Sequence, residues 1–135
     1  MKSDATIVRI VLEHYPAAQA IYLFGTYGTE DEWPESDVDI AVLLPPERAY
    51  GQLMLTPCQQ ALEKTLEKPV DLLNARQVST VFQKEIIQSG RLLYCGDEGA
   101  VAEFEMLTLS LYQKLNEERK EILESFQETG RAYGV

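Results

Sequence analysis

The chain of 135 residues is predicted to be an α/β (α+β) protein, a mixed sheet flanked by helices with a long C-terminal helix. Three features carry that expectation. Residues 21–24, 38–44, 68–73 and 91–95 are short apolar runs with the β-branched and aromatic content of buried strands. The segments around them repeat apolar residues at three- and four-residue steps, the period of a helix with one buried face. Strand and helix alternate, which favours a sheet covered by helices.

Each element follows from local sequence. Ser3 or Asp4 is placed to cap a first helix, with Ile7, Val8, Val11 and Leu12 on one face and Tyr15-Pro16 as its stop. His14, the only histidine, falls at the helix C-terminus, where the backbone dipole favours a cation, and is read as structural. The first strand, 21–24, runs into Gly25-Thr26. Residues 26–32 suit a short helix whose N–H groups face phosphate, and Trp33-Pro34 then turns the chain, the indole covering the loop or stacking on a base. A second strand stops at Pro45-Pro46. A helical region follows, and Thr56-Pro57 reads as N-cap and N1 of its better-formed part, which turns Ala61, Leu62, Thr65 and Leu66 inward. The third strand is 68–73. A helix over 78–90 follows, with Gly90 as its C-cap, and then a short strand over 91–95. From 97 to 128 the chain reads as one long acidic helix, with Val101, Phe104, Leu107, Leu111, Leu115, Ile122 and Phe126 in a stripe. Its first half is expected to pack on its own domain, and residues 117–128 to offer an apolar edge to another chain. Residues 1–96 are thus read as the core and 97–135 as a helical extension of the same domain, ending in a frayed tail at Gly130 and Gly134.

Composition narrows the function. With 45% apolar residues and no apolar run near the length of a membrane span, a water-soluble protein is expected. The first sixteen residues lack the layout of a secretory signal, so the expected location is cytoplasmic. Cys58 and Cys95 lack metal-type spacing and are read as reduced thiols. The net charge of −10 argues against a nucleic-acid polymer as main partner, because phosphate backbones are held by clusters of Lys and Arg. Glu30, Asp31, Glu32 and Glu35 read as a solvated loop, or as a surface for cations or a basic protein.

The chemistry-bearing stretch runs from Leu23 to Val42. Strand alternation puts Asp37 and Asp39 on one side, roughly 6.5 Å apart along the chain, within reach of a shared hard divalent cation. Gly25 has no Cβ and lets a phosphate approach the backbone, while Thr26 adds a hydroxyl donor. Asp71 stands inside an apolar run, which is costly for a charge without a partner. It is either a site carboxylate or a strand-end cap.

Strand, Gly-hydroxyl, ten-residue spacer, Asp-x-Asp and strand, in that order, resemble the signature of nucleotidyltransferases related to DNA polymerase β, over roughly the first 95 residues. The spacer looks most like that of the minimal (MNT) proteins that accompany HEPN toxins. Thr26 replaces the serine usual in that family but keeps its hydroxyl. The resemblance implies that Asp71 is the third active-site carboxylate, that Asp37, Asp39 and Asp71 hold two Mg²⁺ ions, and that Gly25 and Thr26 bind the β- and γ-phosphates of ATP. It also implies a HEPN ribonuclease as partner, with a tyrosine of that toxin accepting AMP. Two other readings stay open: an antitoxin acting by binding alone, and a small-molecule nucleotidyltransferase.

Overall fold

The computed structural model describes residues 2–25, 37–46 and 52–129. Within them the order is α1 (Lys2–His14), β1 (Ala20–Phe24), β2 (Val38–Leu43), α2 (Gln52–Leu66), β3 (Val70–Asn74), α3 (Thr80–Ser89), β4 (Arg91–Cys95) and α4 (Glu98–Thr129). The strands form one sheet in the order β3-β2-β1-β4. β1 is antiparallel to both β2 and β4, and β2 is parallel to β3, so the sheet is mixed.

Alternation along β2 sets the layers. Val38, Ile40 and Val42 enter a core with Ile7 and Val11 of α1 and Leu55, Cys58 and Leu62 of α2. Ala41 and Leu43 enter a second core on the other face, with Ile86 of α3 and Val101 and Phe104 of α4. Helices therefore cover both faces, as the alternating pattern predicted. Among the described residues no helix is long and apolar enough to cross a membrane.

Several helix boundaries differ from the sequence expectation. α1 starts at Lys2, so Asp4 lies in its first turn rather than capping it. The Asp4 carboxylate instead pairs with Arg91 of β4 at 2.9 Å. α2 begins a full turn before Thr56-Pro57, which places Pro57 inside the helix. An interior proline costs about 3 kcal/mol. Burying side chains such as Leu55 and Leu62 returns about 1.5–3 kcal/mol each, so packing outweighs the break. The Tyr15 hydroxyl also donates to the Met54 carbonyl at 2.8 Å, tying the end of α1 to the turn that the proline loosens.

α3 is capped by Ser79, whose hydroxyl accepts from the Phe82 N–H, two residues later than the periodicity implied. Gly90 is its C-cap as expected, but not through left-handed backbone: its φ is −81°. Glycine is needed there because a Cβ would collide with the Ile86 carbonyl oxygen.

Only part of the α4 stripe is covered. Val101, Phe104 and Thr108 are buried, whereas Leu107, Leu111, Leu115 and Ile122 are exposed. The Phe126 side chain, the 26–32 helix, the Trp33-Pro34 turn, the acids Glu30, Asp31, Glu32 and Glu35, and the tail at Gly130 and Gly134 lie outside the described residues.

Candidate active site

The strand register builds the site. Antiparallel pairing of β1 and β2 sets Phe24 opposite Asp39, and parallel pairing of β2 and β3 sets Asp39 opposite Asp71. Partners in register on adjacent strands point to the same face, with strands about 5 Å apart. Two aspartates thirty-two positions apart in sequence are therefore brought within one step across the sheet. Asp37 immediately precedes β2 at the same end.

Asp39 is half-buried, whereas Asp37 and Asp71 are exposed. The expected cost of a charge inside an apolar run does not arise at Asp71, because alternation turns it away from the core while Val70 and Leu72 are buried. The Asp39 carboxyl is held above its ordinary value, first by burial, then by the charges of Asp71 and Asp37. Carboxylates that repel one another in this way form the hard-oxygen donor set that a divalent cation neutralises. Among the described residues, no three His, Cys, Asp or Glu side chains converge closely enough to form a ready-made metal cage. The pairing of Asp39 with Asp71 is fixed by the strand register.

Gly25 has φ +80°, a conformation that side-chain-bearing residues resist. A Cβ there would collide with Asp39 Oδ2. Glycine thus makes room for the carboxylate itself, a duty that the sequence, read for phosphate approach, did not reveal. Thr26, the other expected phosphate contact, lies outside the described residues.

One feature beside the carboxylates was missed. Phe24, across from Asp39, meets Phe82 of α3 edge-on with ring centroids 5.7 Å apart, and Phe82 remains exposed. The signal was present in the adjacent Val81-Phe82 pair: neighbours in a helix diverge by about 100°, so both cannot point into the middle of one buried face.

Comparison with known proteins agrees with this geometry. The pattern of the family described as polymerase beta, nucleotidyltransferase, matches residues 7–99. The protein adenylyltransferase MntA of Shewanella oneidensis (strain MR-1) is 32% identical over 122 residues, spanning 90% of this chain and 86% of that protein. A solved toxin–antitoxin structure with AMP-PNP superposes with a TM-score of 0.79 at 30% identity, covering 92% of this chain and 98% of the other. The MNT antitoxin in complex with tri-AMPylated HEPN toxin of Shewanella oneidensis gives 0.74 at 30% identity, covering 93% and 96%. With the sheet, the paired aspartates and the glycine beside them all present, this chain belongs to the polymerase beta nucleotidyltransferase family.

Proposed function

We propose that the chain is a cytoplasmic antitoxin that transfers AMP from ATP to a tyrosine of a cognate HEPN ribonuclease toxin and so neutralises it. The observation that carries this reading is the register that sets Asp39 beside Asp71 with Gly25 against the Asp39 carboxylate, in a chain whose relative is a protein adenylyltransferase.

Asp37, Asp39 and Asp71 would hold two Mg²⁺ ions, which, when bound, supply charge neutralisation at the attacking and leaving oxygens. Gly25 and Thr26 would secure the β- and γ-phosphates of bound ATP. Asp71 lies on β3, an edge strand, and is exposed, so a protein surface can approach it. It takes the proton of the incoming tyrosine hydroxyl as the new O–P bond forms and the bond to pyrophosphate breaks. The acidic surface suits a basic, RNA-binding toxin and blocks RNA by occupancy as well.

The test is intact mass spectrometry of the toxin after incubation with ATP, Mg²⁺ and this chain. Gain of one or more AMP units is expected, lost by at least a hundredfold in rate with Asp37→Asn/Asp39→Asn, in line with removal of a transition-state electrostatic group. A stable complex with no mass gain would establish a binding antitoxin instead. Transfer to small hydroxyl compounds in the absence of toxin would establish a small-molecule enzyme.

A further inference from the structure

A cavity of about 180 Å³ opens between α3 and α4, lined by Arg76, Gln83, Phe104, Leu107, Thr108 and Leu111. It stands apart from the carboxylates. Arg76 Nε donates to the Leu44 carbonyl at 2.6 Å and Nη2 to Gln19 Oε1 at 2.5 Å, just past the end of β2 and just before the start of β1. Asp39 is at the opposite end of β2 from these Arg76 contacts.

The volume decides the class of ligand. Nucleotide-sized and drug-sized molecules occupy pockets of roughly 300–1,000 Å³, whereas a cavity of about 150 Å³ takes one benzene ring. This cavity has room for a single aromatic side chain. Its polar groups specify the tip. Thr108 is 3% exposed, and among the described residues its hydroxyl has no hydrogen-bond partner. Gln83 spends its amide N–H on the Ala75 carbonyl at 2.9 Å, which leaves its carbonyl oxygen as an acceptor. Arg76, with Nε and Nη2 engaged, keeps donors on Nη1. A group that both donates and accepts satisfies this set, and a phenol on an aromatic ring does so with the ring held between Phe104, Leu107 and Leu111.

We propose that this cavity is the anchor pocket through which the chain docks its HEPN toxin, receiving one tyrosine side chain from the toxin surface. The proposal rests on the reading of the chain as that toxin's partner. Two observations favour the toxin over a second copy of the chain. Leu107 and Leu111, 53% and 50% exposed at the mouth, continue along α4 into exposed Leu115, Ile122 and Leu123, a face longer than one pocket needs. Along residues 103–123 the helix carries Glu103, Glu105, Glu117, Glu118 and Glu121 against Lys114, Arg119 and Lys120, and residues 97–135 hold nine acids against four bases, so apposing two copies would bring net like charge together. A basic partner meets the opposite sign. None of Asp37, Asp39 and Asp71 lines the cavity, so the anchored tyrosine is taken as distinct from the one that is modified.

The experiment is calorimetric titration of the cognate toxin with four forms of the full chain: wild type, Leu111→Arg, Thr108→Val and Asp37→Asn/Asp39→Asn. Leu111→Arg, at a half-exposed position, is expected to weaken binding about thirtyfold or more, the scale of a hot-spot loss. Thr108→Val keeps the volume and removes the hydroxyl. It is expected to weaken binding about tenfold while leaving the unfolding midpoint of the free chain unchanged or raised, because among the described residues that hydroxyl has no partner to lose. The aspartate variant is expected to bind as wild type does without transferring AMP. If wild type binds and transfers while both pocket variants bind within twofold of it, the anchor is overturned and the adenylyltransferase reading stands. If wild type neither binds nor transfers, both fall. A change in the chain's own sedimentation with Leu111→Arg, at unaltered toxin affinity, would assign the face to a second copy and overturn the proposal.

Discussion

Asp39 concentrates the physics of the site in one residue. Its folded-state pKa is raised above the ordinary 3.8, by burial and by Asp71 and Asp37, so the folded chain binds its proton more tightly than the unfolded chain does. The stability linked to that proton is fully present below 3.8 and is lost as pH rises through the raised folded value. At pH 7 in chelator, Asp39→Asn, which removes the charge and little volume, is expected to unfold at higher urea than wild type. The gap should close on acidification. Adding Mg²⁺ should raise the wild-type midpoint and leave the variant nearly unmoved. Equal midpoints for the two chains at pH 7, with no response of wild type to Mg²⁺, would contradict a strained carboxylate cluster. Asp-x-Asp and the glycine before it were legible in the sequence at this scale. The contact between Gly25 and Asp39 was not, because it joins residues fourteen positions apart through an antiparallel register.

Among the elements, α2 shows where local signals compete with packing. Thr56-Pro57 is a sound start signal for the better-formed part of a helical region, yet one unbroken helix runs through it from a turn earlier, with Leu55 fully buried against α1 and the sheet. The other end is also unusual: Glu67, just past the last helical residue, has φ +56° while its N–H donates to the Glu63 carbonyl at 2.9 Å. Pro69 biases Lys68 away from helical backbone, which forces the chain to turn at Glu67. Left-handed backbone costs a non-glycine residue about 1–2 kcal/mol, and glycine adds about 0.5–1 kcal/mol of unfolded-state entropy. Glu67→Gly is therefore expected to stabilise the protein by about 0.5–1 kcal/mol. An unchanged or lower urea midpoint would show that the Glu67 side chain supplies more than its exposure suggests. The strands were read from sequence to within two residues, because short apolar runs between breakers leave few alternatives. Helix ends moved more, since caps and prolines yield to burial.

Across the whole molecule, the two thiols report which side of the layering each residue occupies. Cys58 is buried in the core beneath α1 and α2, and burial pushes its thiol up to about 12, whereas Cys95 is exposed at the end of β4. Thiolate is the reactive form, so at pH 8 one equivalent of thiol reagent per chain is expected to react in the native state and two in concentrated urea. Two fast equivalents in the native protein would mean that the α2 layer opens readily. The same layering explains the long C-terminal helix. Val101, Phe104 and Thr108 reach the sheet and α3, but at 32 residues α4 is far longer than the five-residue strands it crosses, so its later apolar positions pass beyond the core. Periodicity marks a stripe without marking where cover ends.

By itself the sequence determined the alternation of strands and helices, the acidic character that disfavours a nucleic-acid partner, and the motif of Gly25, Asp37 and Asp39. These are properties of neighbours along the chain, governed by side-chain period, turn preference and charge. The tertiary structure alone decided that Asp71 faces Asp39, that Gly25 must be glycine to admit a carboxylate, and that Arg76 and Gln83 share a cavity with Phe104 and Thr108 of α4. Strand register and helix crossing select such partners, and both are fixed by how the two cores pack.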